Sequence, residues 1–550
     1  MLAGNVDLEE GDEDLLLVEA NAWTNLKSQK RVRSVSLSVG KGLWSSFDSS
    51  LRIEAKELVG VHLSKDGKRL RFVGYRHVRS KAWFNRPKTP VRIEVLLVAT
   101  GKRSAVENQA LARNWYLAGL RLLRRTEESL LKPLLVLVNP ASGNGKAQTI
   151  WEKECQQVIC SDGGHRAKVI VTERERHATE FIRDHPNLCR SYKGIVVVSG
   201  DGGVHEALQG VMARPDWAVC VRELTLGVIP AGTRNGLAKS ISVSSRVPLS
   251  PKTAASIIAH GASRALDICT VDVFSKGPAQ PPQRHYSFSF LGCGAIADVY
   301  DSSACLRRMS AYSPRWQGVL RLFSNRYYRG KLSYCPVENR TLENGNSSSL
   351  SLSSPNCTSE VNLLAKDSDA ATLPWGNSES SGVVPRSPPR TPKGVRRPMR
   401  YWEVPGAPQA GPPALTQCPE MSSPLPENWI SVEGSFWHIW NCNLAFMSSQ
   451  DNAAPHSKMD DGYIQLQWIP KGSMNTWQKL RFILGLDAGL HTDNSLVHMA
   501  PSRAYRLEPE LSNDKKGHFL TIDGERIPFS SVQIENFRGL WKVFNLSATP

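Results

Sequence analysis

The eleven cysteines include no C-x-x-C pair, and an odd number of them cannot all close into disulfides. This excludes a disulfide framework and offers no zinc-ligand spacing, so free thiols in a reducing compartment are expected. No apolar run reaches the roughly 18 to 20 residues of a membrane-crossing helix, so any membrane contact is expected to be peripheral. The first residues are acidic (Asp7, Glu9, Glu10, Asp12, Glu13, Asp14), the reverse of a secretory leader. Neither G-x-x-x-x-G-K-[ST] nor G-x-G-x-x-G is found at the glycine turns, so neither the P-loop nor the dinucleotide fold is licensed.

At 550 residues and 41% hydrophobic content the chain has material for two to four domains with a sizeable core. The net charge of +17 is carried by dispersed Lys and Arg. It points to a polyanionic partner: an anionic membrane surface, a nucleic acid or the phosphates of a small ligand. Charge alone does not choose among them.

The chain is organised around Val196 to Ala238. The run Ile195 to Val198 is too short for a helix and reads as a buried parallel strand. Ser199, Gly200, Asp201, Gly202 and Gly203 are predicted to turn, with a helix from about Val204. A turn free of side chains lets phosphate oxygens reach backbone N–H groups at a helix N-terminus. Asp201 is the one carboxylate there. It would repel a phosphate unless it holds a cation or accepts a proton, although a plain capping Asp is the competing reading. About twenty residues on, Pro230-Ala-Gly-Thr-Arg-Asn-Gly-Leu-Ala238 repeats the strand-to-glycine-turn pattern, and Leu134 to Val138 runs into Asn139, Pro140, Ala141, Ser142, Gly143, Asn144, Gly145 and Lys146. Strands at Ala167 to Thr172 and Thr225 to Ile229, with helices from about Lys146, from His177, up to Met212, near Leu237 and from Pro251 to His260, complete an alternating pattern. That pattern predicts a parallel α/β sheet with its ligand at the carboxyl ends of the strands.

The expected domains follow: residues 1–28 a disordered acidic N-terminus, 29–128 an antiparallel sheet closed by a helix, 129–265 the α/β domain, 266–336 with 428–550 a β-rich domain, and 337–427 a disordered insert. Ser104 and Glu107 form a capping box for the helix of the second region, with Leu111, Trp115, Ala118 and Leu122 on one face. Strands plus one C-terminal helix resemble a pleckstrin-homology-like domain, and Lys65, Lys68, Arg69, Arg71, Arg76, Lys81, Arg86 and Lys88 could meet lipid headgroups or form an ordinary solvated face. In the β-rich region Trp316, Val319, Leu320 and Phe323 make one apolar stripe, and Met474, Trp477, Leu480 and Leu484 another. Both are read as core faces, with a lid over a lipid tail as the alternative. In the insert, Ser387 and Thr391 precede prolines beside arginines, where phosphorylation would weaken a basic patch.

Taken together, N-P-A-S-G-N-G-K-A at 139, T-E-R at 172, S-G-D-G-G-V-H-E-A at 199 and P-A-G-T-R-N-G-L-A at 230 resemble the diacylglycerol-kinase catalytic superfamily. Y-Y-R-G-K-L-S-Y at 327, D-D-G-Y-I-Q-L at 460, Y-R-L-E-P at 505 and T-I-D-G-E at 521 narrow the resemblance to sphingosine (long-chain-base) kinases, over residues 133–336 and 430–545. The resemblance implies an ATP-binding α/β domain, a β-sandwich lipid domain and a cleft between them, with ATP and Mg²⁺ required. It implies that Asp201 is the catalytic base. Nucleotide-binding positions would be Asn139, Pro140, Ala141, Thr172, Glu173, Arg174, Ser199, Gly200, Glu206, Gly232, Thr233 and Arg234. Arg307 and Arg315 would neutralise phosphate charge, and Asp523, Gly524 and Glu525 would close the site from the second domain. Asp298 and Asp301 would meet the lipid headgroup. No residue is singled out as a metal ligand. The implied partners are a sphingoid lipid and a peripheral membrane surface with anionic lipids, reached from the cytoplasm. Nucleic acid is not among them, and a homodimer is left open.

Three positions depart from the pattern. Arg234 stands where the family has a small residue, and Gln209 where it has Asn. The headgroup segment reads Ala297-Asp-Val-Tyr-Asp-Ser-Ser-Ala304, so the second family Asp falls on Tyr300. Asp301 could substitute. If it does not, the lipid lacks a free amine, as in ceramide, and ceramide or diacylglycerol kinase is the second reading. A catalytically silent membrane adaptor is the third, and Asp201 argues against it.

Overall fold

The computed structural model describes residues 18–25, 30–38, 42–44, 52–77, 90–99, 104–274, 281–294, 327–337, 401, 413, 415–510 and 518–546. Contacts divide the chain into a body of residues 1–337 and 397–550 and a second unit, 338–396, which lies outside the described residues.

The body begins with a six-stranded antiparallel sheet of β1 (Val18–Asn25), β2 (Lys30–Ser38), β3 (Gly42–Trp44), β4 (Leu58–Leu63), β5 (Arg69–Arg76) and β6 (Val91–Ala99), in the order β3-β2-β1-β6-β5-β4. Two meanders thus join through their first and last strands. Val18–Asn25 corrects the expectation of a disordered terminus through residue 28: it pairs with β2 and with β6. Its own sequence is too polar to announce a strand, and it is held by ladder hydrogen bonds that neighbours supply. Helix α1 (Ala105–Leu122) closes the sheet, with the Ser104 and Glu107 capping box present as expected. Trp115, Ala118 and Leu122 are buried, and Trp115 meets Phe72 edge-on at 6.4 Å between ring centroids.

After a short α2 (Glu127–Leu131) the alternation runs β7 (Leu134–Val138), α3 (Ala147–Ile150, continuing in wider π-type turns to Asp162), β8 (Ala167–Val171), α4 (His177–Asp184), α5 (Leu188–Ser191), β9 (Gly194–Ser199), α6 (Asp201–Met212), α7 (Trp217–Glu223), β10 (Thr225–Pro230), α8 (Gly236–Ser244) and α9 (Pro251–His260). The strands are parallel in the order β10-β9-β7-β8. β7, β9 and β10 are buried throughout, as continuous aliphatic runs covered on both faces must be. Ser250 caps α9 and Pro251 occupies its first turn, both as read.

The remaining strands are β11 (Ser263–Phe274), β12 (Gln283–Ser287), β13 (Phe290–Gly294), β14 (Tyr328–Pro336), β15 (Ile430–Cys442), β16 (Ile464–Pro470), β17 (His498–Pro509), β18 (Phe519–Ile522), β19 (Glu525–Pro528) and β20 (Ser531–Phe544), with α10 (Thr476–Leu484) between β16 and β17. β20 continues the parallel sheet through a bridge of Leu226 to Val543, so both halves share one 14-stranded mixed sheet. Trp541 Nε1 donates to the Leu224 carbonyl at 2.8 Å across that seam. β15 pairs with β14 along its first half, and with β13 and β16 along its second.

Three sequence expectations need correction. The stripe along α10 is a core face only in part: Met474 is buried and Leu480 packs against the same cluster. Trp477 is 79% and Leu484 50% exposed, while Lys479, Phe482 and Ile483 face inward. The helix carries two apolar stripes, and packing of Phe482 against Trp437 chose the other one. The expected insert ends earlier than residue 427, because Thr416 and Gln417 donate to the buried Glu535 carboxylate and Arg506 donates to the Pro419 and Glu420 carbonyls. A buried carboxylate and guanidinium require such partners, and 415–429 supplies them. Finally, α6 begins at Asp201 and not near Val204, since Gly202 and Gly203 enter the first turn instead of preceding it. The second expected stripe, Trp316 to Phe323, lies outside the described residues.

The N-terminal sheet is fastened to the α/β part at the end of the α3 segment. Asp162 accepts from Tyr75 Oη at 2.6 Å and from Arg92 at 2.8 and 2.9 Å, while His62 Nε2 lies 2.8 Å from its carbonyl. Gly60 lets β4 come this close: a Cβ there would stand 1.8 Å from the Asp162 carbonyl oxygen.

Candidate active site

The turns after β7, β9 and β10 converge at the carboxyl edge of the parallel strands and touch through their backbones. A Cβ on Gly232 would lie 2.4 Å from the Gly200 Cα, and one on Gly143, at φ +62°, would lie 2.1 Å from the Ala231 carbonyl oxygen. Only glycine allows this packing. Side chains lock the turns: Asn139 Oδ1 accepts from the Ala141 amide at 3.0 Å, and Ser142 Oγ meets Ser199 Oγ at 2.8 Å. Asn235 closes the third turn on itself, accepting from Gly232 N and donating to the Gly232 carbonyl. Pro140 follows in the first of these turns, and Thr233 is exposed at the rim of the third.

Asp201 is the first residue of α6 and is 5% exposed. Its amide donates to the Arg234 carbonyl at 3.0 Å, and its carboxylate accepts from Gly236 N at 2.7 Å and Leu237 N at 3.3 Å, the opening amides of α8. Burial raises its pKa from 3.8 to about 6, against the opposing pull of those two amides. The group is therefore ionised at neutral pH yet far more basic than a surface Asp. Asp201 thus caps not its own helix but the neighbouring α8, and burial leaves it more basic than a surface carboxylate.

Behind the β8 turn, Thr172 is buried and its amide donates to the Val138 carbonyl at 2.8 Å. Glu173 and Arg174 are exposed, with Arg174 paired to Glu180. Glu206 lies half-buried one turn along α6. Burial raises its pKa, opposed by hydrogen bonds from the Arg176 and Ala178 amides at the start of α4.

The D-G-E turn between β18 and β19 meets these turns from the other half of the body. A Cβ on Gly524 would stand 2.7 Å from Arg234 Nη1, so the Arg234 guanidinium spans from its own turn onto that glycine. A Cβ on Gly202 would lie 3.5 Å from Glu525 Oε1. Asp523 does not face the turns as a free acid. At φ +51° it points inward and accepts from Ser287 Oγ (2.7 Å) and from the Phe288, Ser289 and Phe290 amides (3.0 to 3.2 Å), with His205 Nδ1 at 3.1 Å. The expectation that Asp523 closes the nucleotide site is thus corrected: its carboxylate is consumed in joining α6 to the connection between β12 and β13, and Glu525 alone is the exposed acid of that turn.

Sequence reading missed His205, although it sits one helical turn after Asp201, and it missed Asn235. Gln209 was noted only as a departure, yet it holds β12 by donating to the Tyr286 carbonyl (2.7 Å) and accepting from its amide (3.2 Å). Asp298, Asp301, Arg307 and Arg315 lie outside the described residues, as do Lys81, Arg86 and Lys88.

The family profile described as the diacylglycerol kinase catalytic domain matches residues 133–271, the segment that holds all the strand-end turns. Over more of its length the chain is similar to human (Homo sapiens) sphingosine kinase 2, 28% identical across 80% of this chain and 77% of that protein. It is also similar to Arabidopsis thaliana sphingosine kinase 1, 25% identical across 72% and 68%. A crystal structure of a diacylglycerol kinase from Bacillus anthracis str. Sterne superposes with a TM-score of 0.43 at 13% identity, covering 75% of this chain and 97% of that one. The match to the catalytic domain ends at residue 271, inside β11, whereas the similarity to the two sphingosine kinases covers 80% and 72% of the chain.

Proposed function

We propose that this chain is an ATP-dependent kinase that transfers the γ-phosphate to the primary hydroxyl of a sphingoid long-chain base, giving the 1-phosphate. The observation that carries the reading is Asp201, a buried carboxylate of raised pKa among converging glycine turns at the carboxyl ends of the parallel strands. A carboxylate of pKa near 6 takes a proton from an attacking hydroxyl better than an ordinary Asp while remaining ionised at pH 7. Asn139, Pro140, Ala141, Thr172, Ser199, Gly200, Gly232 and Thr233 would line the nucleotide, with Glu206 fixing the α4 end of the site. Arg234, placed against Gly524, would offset charge on the phosphates, together with Arg307 and Arg315.

Mg²⁺ fits as a companion of the nucleotide. Among the described residues no cluster of three ligand groups stands at these turns, and Mg²⁺ is commonly held by one or two carboxylates plus substrate phosphates. Glu525 is the exposed carboxylate available to hold it, and the ion would neutralise phosphate charge.

The strand order and α1 support a pleckstrin-homology-like reading of residues 29–128, extended to Val18, and the partner-switching of β15 supports a β-sandwich that receives the lipid. Lys65, Lys68 and Arg69 are exposed at the β4–β5 tip, where an anionic membrane could meet them. Asp298 and Asp301 are proposed to read the headgroup, with Asp301 facing the ammonium in place of the residue lost at Tyr300. A panel of sphingosine, ceramide and diacylglycerol with labelled ATP tests the reading. Asp301→Asn should lower kcat/KM for sphingosine about five- to 150-fold while ceramide is unaffected. Faster turnover of ceramide, with sphingosine use unchanged by Asp301→Asn, would transfer the assignment to ceramide.

A further inference from the structure

Cys189 on α5 and Cys220 on α7 lie together on the side of the catalytic domain away from the glycine turns. Their sulfurs and a carboxylate oxygen of Asp216 are all within 4.8 Å of one another. Cys220 is buried and Cys189 is partly exposed. Arg214 holds the group in place: its Nε and Nη2 bind the Asp216 carboxylate at 2.6 and 3.0 Å, while Nη1 donates to the carbonyls of Ile182, Arg183 and His185 at the end of α4.

Two sulfurs and a carboxylate could be a site for a soft divalent cation or a dithiol. The guanidinium decides between them. Arg214 is bonded to both carboxylate oxygens of Asp216, so a dication there would sit against a fixed positive charge. A thiolate gains from the same neighbour. The hydrogen bond with Cys220 lowers the Cys189 pKa, and that bond together with burial raises Cys220. One thiol is thus a partly exposed nucleophile whose pKa is held below the ordinary thiol value, beside a buried second thiol whose pKa is raised, the pattern of an attacking and a resolving cysteine.

We propose that Cys189 and Cys220 form a reversible disulfide when the protein meets a peroxide. The Cys189 thiolate attacks one peroxide oxygen, the O–O bond breaks, and the departing hydroxide takes a proton to become water, leaving a sulfenic acid on Cys189. Cys220 then loses its proton and attacks that sulfur. The S–S bond forms, the S–O bond breaks, and a second water leaves. The two sulfurs are oxidised by two electrons in total and one peroxide is reduced. The cross-link closes a loop that contains β9, Asp201 and the whole of α6, so it staples the segment bearing the proposed base by restricting that segment's unfolded states.

The test uses the full chain, reduced and held in chelator. After hydrogen peroxide, quenching and alkylation, mass spectrometry should find the Cys189 and Cys220 peptides joined and lighter by about 2 Da, with dithiothreitol reversing the change. The melting midpoint should rise on oxidation in wild type and not in Cys189→Ser. In Cys220→Ser the reaction should stop at a Cys189 sulfenic acid that dimedone traps. Should that buried substitution prevent folding, Cys189→Ser decides alone, with Cys220 remaining fully alkylatable after unfolding. The proposal fails if both thiols stay alkylatable while other cysteines react. It also fails if equimolar Zn²⁺ without oxidant protects both thiols, which would make the site a cation site.

Discussion

Replacing Asp201 by Asn separates its two roles with a sign that the burial dictates. In the folded protein the carboxyl titrates at about 6 instead of 3.8, so protonation favours the fold. Stability from this group is fully present below pH 3.8 and is lost as pH rises through 6. The shift of about 2 units at about 1.4 kcal/mol each means the ionised form costs on the order of 3 kcal/mol at pH 7. Asn removes that cost. It returns about 1 to 2 kcal/mol, because an amide can accept from only one of the Gly236 and Leu237 amides and turns its NH₂ toward the other. Asp201→Asn is therefore expected to melt at or slightly above the wild-type temperature while kcat falls about 10² to 10⁴-fold. Wild-type kcat/KM should drop about tenfold per unit below pH 6, and that limb should vanish in the variant. Scanning calorimetry beside a labelled-ATP assay reads both. A variant that melts lower and keeps a tenth of wild-type kcat would show that the carboxylate is only a helix cap, and the reasoning would be wrong.

The same contacts set other expectations. Asp523→Ala should cost about 3 to 5 kcal/mol by stranding Ser287 and three backbone amides, seen as a lower denaturant midpoint, whereas Glu525→Gln should leave the midpoint unchanged and raise KM for ATP. Asp162→Ala should cost about 2 to 3 kcal/mol and make the N-terminal sheet cleavable by limited proteolysis before the catalytic domain. Deleting residues 1–128 is a poor test of recruitment, because Val59, Val73 and Tyr75 are packed in the core of the catalytic domain. Changing Lys65, Lys68 and Arg69 to Ala is cleaner: vesicle sedimentation should show binding to anionic lipid weakened by about 2 to 3 kcal/mol, with activity on detergent-dispersed lipid unchanged and the difference lost at high salt.

Local order determined much of this protein from sequence alone. The strands Leu134–Val138, Gly194–Ser199 and Thr225–Pro230 were legible because a buried parallel strand must be an unbroken aliphatic run. The caps at Ser104 and Ser250 were legible because a helix start needs an acceptor for its free amides. The glycines marked where the turns would fall, and Asp201 was conspicuous as the one carboxylate among them. What only the tertiary structure decided is where polar side chains turn when several environments compete for them. Asp523 and Glu525 stand two residues apart in one turn, yet a left-handed backbone sends the first inward to five donors and leaves the second exposed. Trp477 and Phe482 share α10, and the aromatic neighbours of Phe482 gave the core to it and the surface to Trp477. Arg234 looked like an obstruction and lies over Gly524, a residue almost three hundred positions away in sequence. The Asp201 pKa is likewise a property of burial among distant turns, and no pattern of neighbours along the chain encodes it.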